Sequence, residues 1–241
     1  DLSIMGKFIL YYTDSSEGFR LFLNSGFSIP SKNALSSDPY FQKLIDIEYG
    51  NADGKVDEDE TLNFNQSDQI DKAHKHFAIS DGVYRFIIKP SIFYKKFTNP
   101  VFIGLSLKYS TQMASRYSFE TSDSYEINFS SLFSSSKMPL IKDFVSKNIN
   151  FSLGLMATYM GESSWDGYKS PVSKQLIFRP SFGLLYNTKS YGTFNLLINS
   201  PFYIEGFFQD SNEYEDPDFE QGSKELSIIF NYRIPMNFYL W

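Results

Sequence analysis

Between Val83 and Met113 the chain alternates apolar and polar residues in two long runs, VYRFIIKPSIFYK and VFIGLSLKYSTQM, separated by the break Phe97-Thr98-Asn99-Pro100. In the first run Tyr84, Phe86, Ile88, Pro90, Ile92 and Tyr94 fall on one face, and Arg85, Lys89, Ser91 and Lys95 on the other. In the second, Val101, Ile103, Leu105, Leu107 and Tyr109 oppose Gly104, Ser106, Lys108, Ser110 and Gln112. A period of two predicts strands, and a tight break between two of them predicts a hairpin. Strands of soluble sandwiches usually span about five or six residues, whereas a tilted strand that crosses a bilayer needs about 9 to 11. These runs reach the second length. If hydrocarbon meets the apolar face, no backbone edge can stay unpaired there, so the polar face must line a closed cylinder. The pattern therefore predicts an all-β chain: an antiparallel transmembrane β-barrel occupying residues 1–241 as a single domain.

The same alternation recurs at Leu2 to Thr13, Phe19 to Ile29, Tyr125 to Phe129, Asn150 to Met160, Gln175 to Tyr186, Thr193 to Phe208 and Leu226 to Leu240. In the opening run Leu10 and Tyr12 fall with the apolar set, and Tyr11 with the polar one. Turn chemistry separates the first pair of runs at Asp14-Ser15-Ser16-Glu17-Gly18 and a later pair at Asn187 to Gly192. Lys137 to Lys147 carries Leu140, Ile141, Phe144 and Val145 at helical spacing, which predicts a short interfacial helix. Nine strands are countable. Bacterial barrels have an even number, so about ten strands are expected, within a range of roughly 8 to 12. The additional strand is expected before Asp1 or within residues 116–147. Short breaks after residues 13, 97 and 187 alternate with long polar segments at 31–82, 114–124, 161–174 and 209–223. Short turns belong on the periplasmic side of such barrels and long loops on the extracellular side. The final run and Trp241 resemble the terminal aromatic strand of bacterial outer-membrane barrels, with Trp241 one residue out of the apolar register.

Composition extends this picture. Tyr and Phe number 17 and 25, an excess that suits interfacial girdles as well as a lipid-facing wall. No run approaches the roughly 18 apolar residues of a spanning helix. Cysteine is absent, which excludes disulfide staples and thiolate metal sites. The loop at 31–82 carries 11 acids against 5 lysines, and 209–223 is acidic without a base. The whole chain has a net charge of −6, and these acidic loops give nucleic acid no footing. They suit a partner protein or a cation instead, while lipid and lipopolysaccharide are the expected partners of the wall.

Candidate chemistry falls in two places. The presumed lumen face carries Lys7, Arg20, Arg85, Lys89, Lys95, Lys108, Arg179 and Arg233 against Glu126, Glu205 and Glu225. Such a set forms either a plug of ion pairs filling a narrow interior or an anion-attracting passage. The second place is Tyr49 to Glu60, which resembles an EF-hand or dockerin calcium loop: Asn51, Asp53, Asp57 and Glu60 match ligand positions and Gly54 the turn. Tyr49 stands where the first carboxylate belongs, so the stretch reads either as a calcium site or as a solvated acidic loop. His74 and His76 could share a metal on one strand face, although paired histidines in a charged loop more often hold nothing. Neither lies in a predicted strand, where a barrel hydrolase needs its histidine beside a serine. No enzymatic activity is expected.

The order DLSIMGKFIL, a short turn, FRLFLNSGFSIPS, a long loop, then SDGVYRFIIKPSIFYKKF and VFIGLSLKYS resembles the outer-membrane transporter family of meta-pathway phenol degradation, itself distantly akin to FadL-type channels. The likeness covers roughly the first 115 residues. It implies passage of small molecules across a bacterial outer membrane. The expected function is thus a channel or transporter-like barrel. The alternative is a structural or adhesive barrel whose acidic loops bind a partner or calcium within an envelope assembly.

Overall fold

The computed structural model describes residues 1–13, 17–34, 47, 50–55, 80–139, 148–170, 173–188, 192–205 and 226–233. Within them the chain is antiparallel β throughout its long elements. These are β1 (Leu2–Tyr12), β2 (Gly18–Ile29), β3 (Val83–Lys95) and β4 (Phe102–Ser115), then the short β5 (Phe119–Glu120) and the long β6 (Ser124–Ser134). After β7 (Ile149–Met160) come the short β8 (Ser163–Trp165) and β9 (Tyr168–Ser170), the long β10 (Gln175–Thr188), β11 (Gly192–Asn199), β12 (Phe202–Glu205) and β13 (Ser227–Arg233). One ten-stranded sheet runs in the order β1-β2-β3-β4-β6-β7-β10-β11-β13, with β12 beside β10. The short β5, β8 and β9 form a separate three-stranded sheet.

Proline explains the division between β11 and β12. Ser181 pairs with Asn199 and Phe178 with Phe202, which is a single register carried across Ser200-Pro201. Pro180 and Pro201 both lack an N–H, so the ladder opens where they approach and resumes beyond. The run expected from Thr193 is therefore one strand position with a gap. Pro90 acts in the same way: it pairs with Leu23 of β2, while the β3–β4 ladder skips from Ile88–Tyr109 to Ser91–Ser106.

Nine positions across the sheet match the nine alternating runs in order, and three details differ. A bulge between Ile9 and Tyr11 sets Tyr11 opposite Leu21 and Tyr12 opposite Arg20, so the two tyrosines exchange the faces expected of them. Strand β6 continues five residues beyond Phe129, to Ser134. A 3-10 turn follows at Ser135–Lys137. The expected helical residues Leu140, Ile141, Phe144 and Val145 lie outside the described residues.

The expected closed cylinder is not present among the described residues: β1 and β13 are the two free edges of an open sheet. Strict antiparallel alternation over nine positions leaves β1 and β13 running in the same direction. An antiparallel seam between them is thus ruled out by direction, and only a strand opposed to both could complete the alternation.

Burial is inverted relative to a water-soluble sheet. Along the apolar face Leu105, Leu107, Ile127, Phe129, Leu153, Leu155, Phe182, Ile228 and Phe230 are all exposed. The polar face instead holds buried serines: Ser28, Ser91, Ser106 and Ser110. Among the described residues every extensive contact between long strands is between lateral neighbours. Burial on the polar face therefore arises from curvature, with neighbouring side chains crowding together on the concave side. Small residues relieve that crowding, since a Cβ on Gly154 would meet Ser181 Oγ at 2.5 Å and one on Gly183 would meet Ser152 Oγ at 2.2 Å.

Apolar burial sits at the end from which the long connections leave. Val83, Phe119 and Trp165 are buried there, the two rings 6.2 Å apart in the small sheet. The 161–174 segment, expected as a polar loop, contains the β8–β9 hairpin. Its turn residues Asp166 and Gly167 have φ of 53° and 86°, as a type I′ turn requires.

Candidate functional site

The concave face is organised in rows that cross the strands. The first runs Lys7, Asn24, Lys89, and the same level continues through Lys108, Glu126 and Thr158. The next runs Ile9, Phe22, Ser91, Ser106, Asn128, Met156 and Arg179. A third runs Tyr12, Arg20, Phe93, Gly104, Ser130, Gly154, Ser181 and Asn199. Because antiparallel partners share a face, register alone brings residues from five distant stretches of sequence onto one patch.

At the centre of these rows is a recess of about 250 Å³ lined by Lys7, Phe22, Asn24, Lys89, Ser91, Phe93, Gly104, Ser106, Asn128 and Ser130. Its aromatic side is built by Phe22 and Phe93 with ring centroids 5.6 Å apart, and Phe102 stacks behind Phe93 at 5.2 Å. Gly104 makes room for that stack. Lys7 Nζ lies 4.4 Å from the centre of the Phe22 ring, a cation–π arrangement.

The charges are unequal. Lys89 and Lys108 approach Glu126 at 4.0 and 3.9 Å, the outer limit of an ion pair. Lys7 has no carboxylate within ion-pair range among the described residues. Three ammonium groups thus face one carboxylate. The two lysines partnering Glu126 remain about a third exposed, so solvent screening holds each pair to under about 1 kcal/mol. Hydroxyl and amide groups of Ser91, Ser106, Ser130, Asn24 and Asn128 supply neutral hydrogen-bonding capacity between the charged and aromatic sides.

Of the lumen candidates read from sequence, Lys7 and Lys89 line this recess, and Lys108 and Glu126 stand beside it, 3.9 Å from one another, with Glu126 also 4.0 Å from Lys89. Arg20 lies on the same face nearer the short turns, opposite Phe93. Arg85 lies towards the long loops and is engaged by Asp81. Arg179 opposes Met156 on the far half of the sheet, and Arg233 opposes Thr193 beside the free edge. Glu205 ends β12 opposite Leu176, one register shift beyond the Ile177–Tyr203 pair, and Glu225 lies outside the described residues. The residues that sequence reasoning passed over are Phe22 and Phe93. Their positions in the alternation, in step with Arg20 and Asn24 and with Lys89 and Ser91, were the signal: an aromatic ring in a polar row.

The acidic loop is described only in part. Asn51 Oδ1 accepts the Asp53 N–H at 3.0 Å and Asp53 Oδ1 accepts the Lys55 N–H at 2.9 Å, while Gly54 turns the chain at φ 85°. These are local Asx turns. Asp57, Glu60, His74 and His76 lie outside the described residues, as does the acidic stretch at 209–223.

Aromatic residues also band the exposed face. Tyr109, Tyr125 and Tyr159 form one chain of ring contacts at 5.2 and 6.4 Å, and Tyr109 Oη donates to Asp123 at 2.7 Å near the long-loop end. Towards the short turns Phe19 and Tyr94 lie 4.6 Å apart, and Phe194 stacks on Tyr232 at 4.4 Å. From Tyr125 to Phe133 on β6, or Tyr84 to Tyr94 on β3, is eight to ten residues. That is roughly 26 to 34 Å along a strand, or about 19 to 27 Å of height at the tilt of membrane barrels.

Comparison of the chain with protein-family models gives no match, and comparison with curated proteins gives none.

Proposed function

We propose that the chain is the wall of an outer-membrane β-barrel acting as a channel or transporter-like protein for small molecules. The observation that carries this reading is the inverted burial: leucine, isoleucine and phenylalanine exposed on one face, and serines together with Gly26, Gly104 and Gly183 buried on the other. Exposed apolar surface on this scale is a liability in water and an asset against acyl chains. The exposed band is edged by aromatic rings at both ends, and its height is close to the ≈ 25 Å apolar belt of outer-membrane barrels. The concave polar face then lines the passage, and a strand opposed in direction to β1 and β13 seals it. No step of chemistry is assigned to this face.

Reconstitution into planar bilayers tests the proposal. Stable conductance steps are the expected result. A barrel that inserts but stays silent favours the structural or adhesive alternative, with the acidic 31–82 loop as its binding element. A monodisperse protein in detergent-free buffer overturns both.

A further inference from the structure

The geometry points to the recess at Lys7, Lys89 and Phe93 as a binding site for a small organic anion with a flat apolar body, of about eight to ten heavy atoms. Three features of the recess select that class. The charge balance is the first: Lys7 and Lys89 line the recess with no carboxylate in its wall, and Lys108 and Glu126 stand in the row beside it, so among the described residues an excess of positive charge is left that a ligand carboxylate or sulfonate can neutralise. Because Lys89 and Lys108 sit at 4.0 and 3.9 Å from Glu126, beyond the usual 2.7–2.9 Å of a charge-assisted hydrogen bond, both retain donors for an incoming anion. An inorganic cation meets repulsion here.

The aromatic side is the second feature. Phe22 and Phe93 meet edge to face with an interplanar angle of 62°, and Phe102 backs Phe93 at 26°. A flat ring lying against this surface gains offset or edge contacts that a hydrated ion such as chloride or phosphate does not. Size is the third. About 250 Å³ equals the liquid volume of about eight waters, below the range of drug-sized pockets. A long acyl chain does not fit within it.

Each end of such a ligand finds its complement within one recess, and Ser91, Ser106 and Asn128 lie between the two for a ring substituent. This inference rests on the transport reading only insofar as it names what the passage would take; binding itself is measurable without transport.

The test is titration calorimetry on the detergent-solubilised full chain with benzoate, and with benzyl alcohol as the uncharged counterpart. Benzoate is expected to bind saturably, and benzyl alcohol about tenfold or more weaker. Lys89→Gln and Lys7→Gln are each expected to weaken benzoate by roughly tenfold while leaving benzyl alcohol unchanged. Equal affinity for the two probes, or the absence of benzoate binding to the unaltered protein, overturns the site irrespective of how the variants fold. Benzoate binding by a protein silent in bilayers upholds the site and removes the transport reading. Conductance without benzoate binding does the reverse.

Discussion

Gly104 and Phe93 face each other across the β3–β4 ladder so closely that a methyl group on Gly104 would stand 2.6 Å from Phe93 Cδ1. The same methyl would meet Ser130 Oγ at 2.9 Å. Both obstacles are side chains, so a substitution displaces the ring and disturbs its stack on Phe102. Gly104→Ala is expected to cost about 1–2 kcal/mol, as overpacking does, and to narrow the recess. At Gly26 the obstacle is the Ile4 carbonyl oxygen, 2.0 Å from the added Cβ, which cannot rotate away. Gly26→Ala should therefore be the more damaging of the two. Denaturant midpoints in micelles, measured side by side, check the order.

A charge placed on the exposed face separates a membrane wall from a wetted one. Leu105, Phe129 and Leu155 are paired in one row across β4, β6 and β7, in the middle of the apolar band. Leu155 is 45% exposed. In water, arginine at such a position changes stability by no more than about 0.5 kcal/mol. At the midplane of a bilayer it costs about 2–4 kcal/mol. We expect Leu155→Arg to show the larger loss when folding is followed by equilibrium titration into vesicles. A change within the smaller figure would mean that lipid does not cover this face.

How far these relationships were legible in the sequence differs from element to element. Long strands were legible because period two persists over a dozen residues, and no helix can satisfy that pattern. The bulge at Ile9–Tyr11 was not, since Leu10, Tyr11 and Tyr12 suit either face and a one-residue slip carries no compositional trace. Past Phe129 the alternation lapses: Ser131 falls on the apolar side, where its Oγ donates to the Leu153 carbonyl at 3.3 Å. That is why the second half of β6 went unread. The β8–β9 hairpin hides for another reason. Its strands are serine-rich and only three residues long, and the Asp166-Gly167 turn was its single clear mark. At the candidate site the lysines were read but their convergence was not, because cross-strand register depends on pairings that one strand does not encode.

Glu126 holds the balance of charge on the concave face. Replacing it by glutamine removes the only carboxylate paired with Lys89 and Lys108 among the described residues and leaves Lys7, Lys89 and Lys108 as cations in and beside the recess. Stability should change little, since the pairs are long and screened. Ion selectivity should change more: reversal potentials across a salt gradient are expected to move towards the anion potential in Glu126→Gln, most visibly at low ionic strength. Lys108→Gln should move them the opposite way. An unchanged reversal potential in both variants would place the conducting route away from this recess.

The small sheet at the long-loop end should respond independently of the wall. Asp166 and Gly167 hold positive φ, and a β-branched side chain in that region costs about 1–2 kcal/mol. Trp165 lies directly before this turn, 7% exposed and in ring contact with Phe119. Gly167→Val is thus expected to loosen the hairpin and expose the indole, shifting Trp165 emission to longer wavelength in a Trp241→Phe background. The long strands pair through their own ladders, and among the described residues their one extensive contact with the small sheet is that of β4 with β5, so their far-ultraviolet dichroism and denaturant midpoint should stay the same. Should the midpoint fall together with the emission shift, the cap and the wall fold as one cooperative unit, and the packing of Phe119 against Trp165 helps to hold the sheet itself.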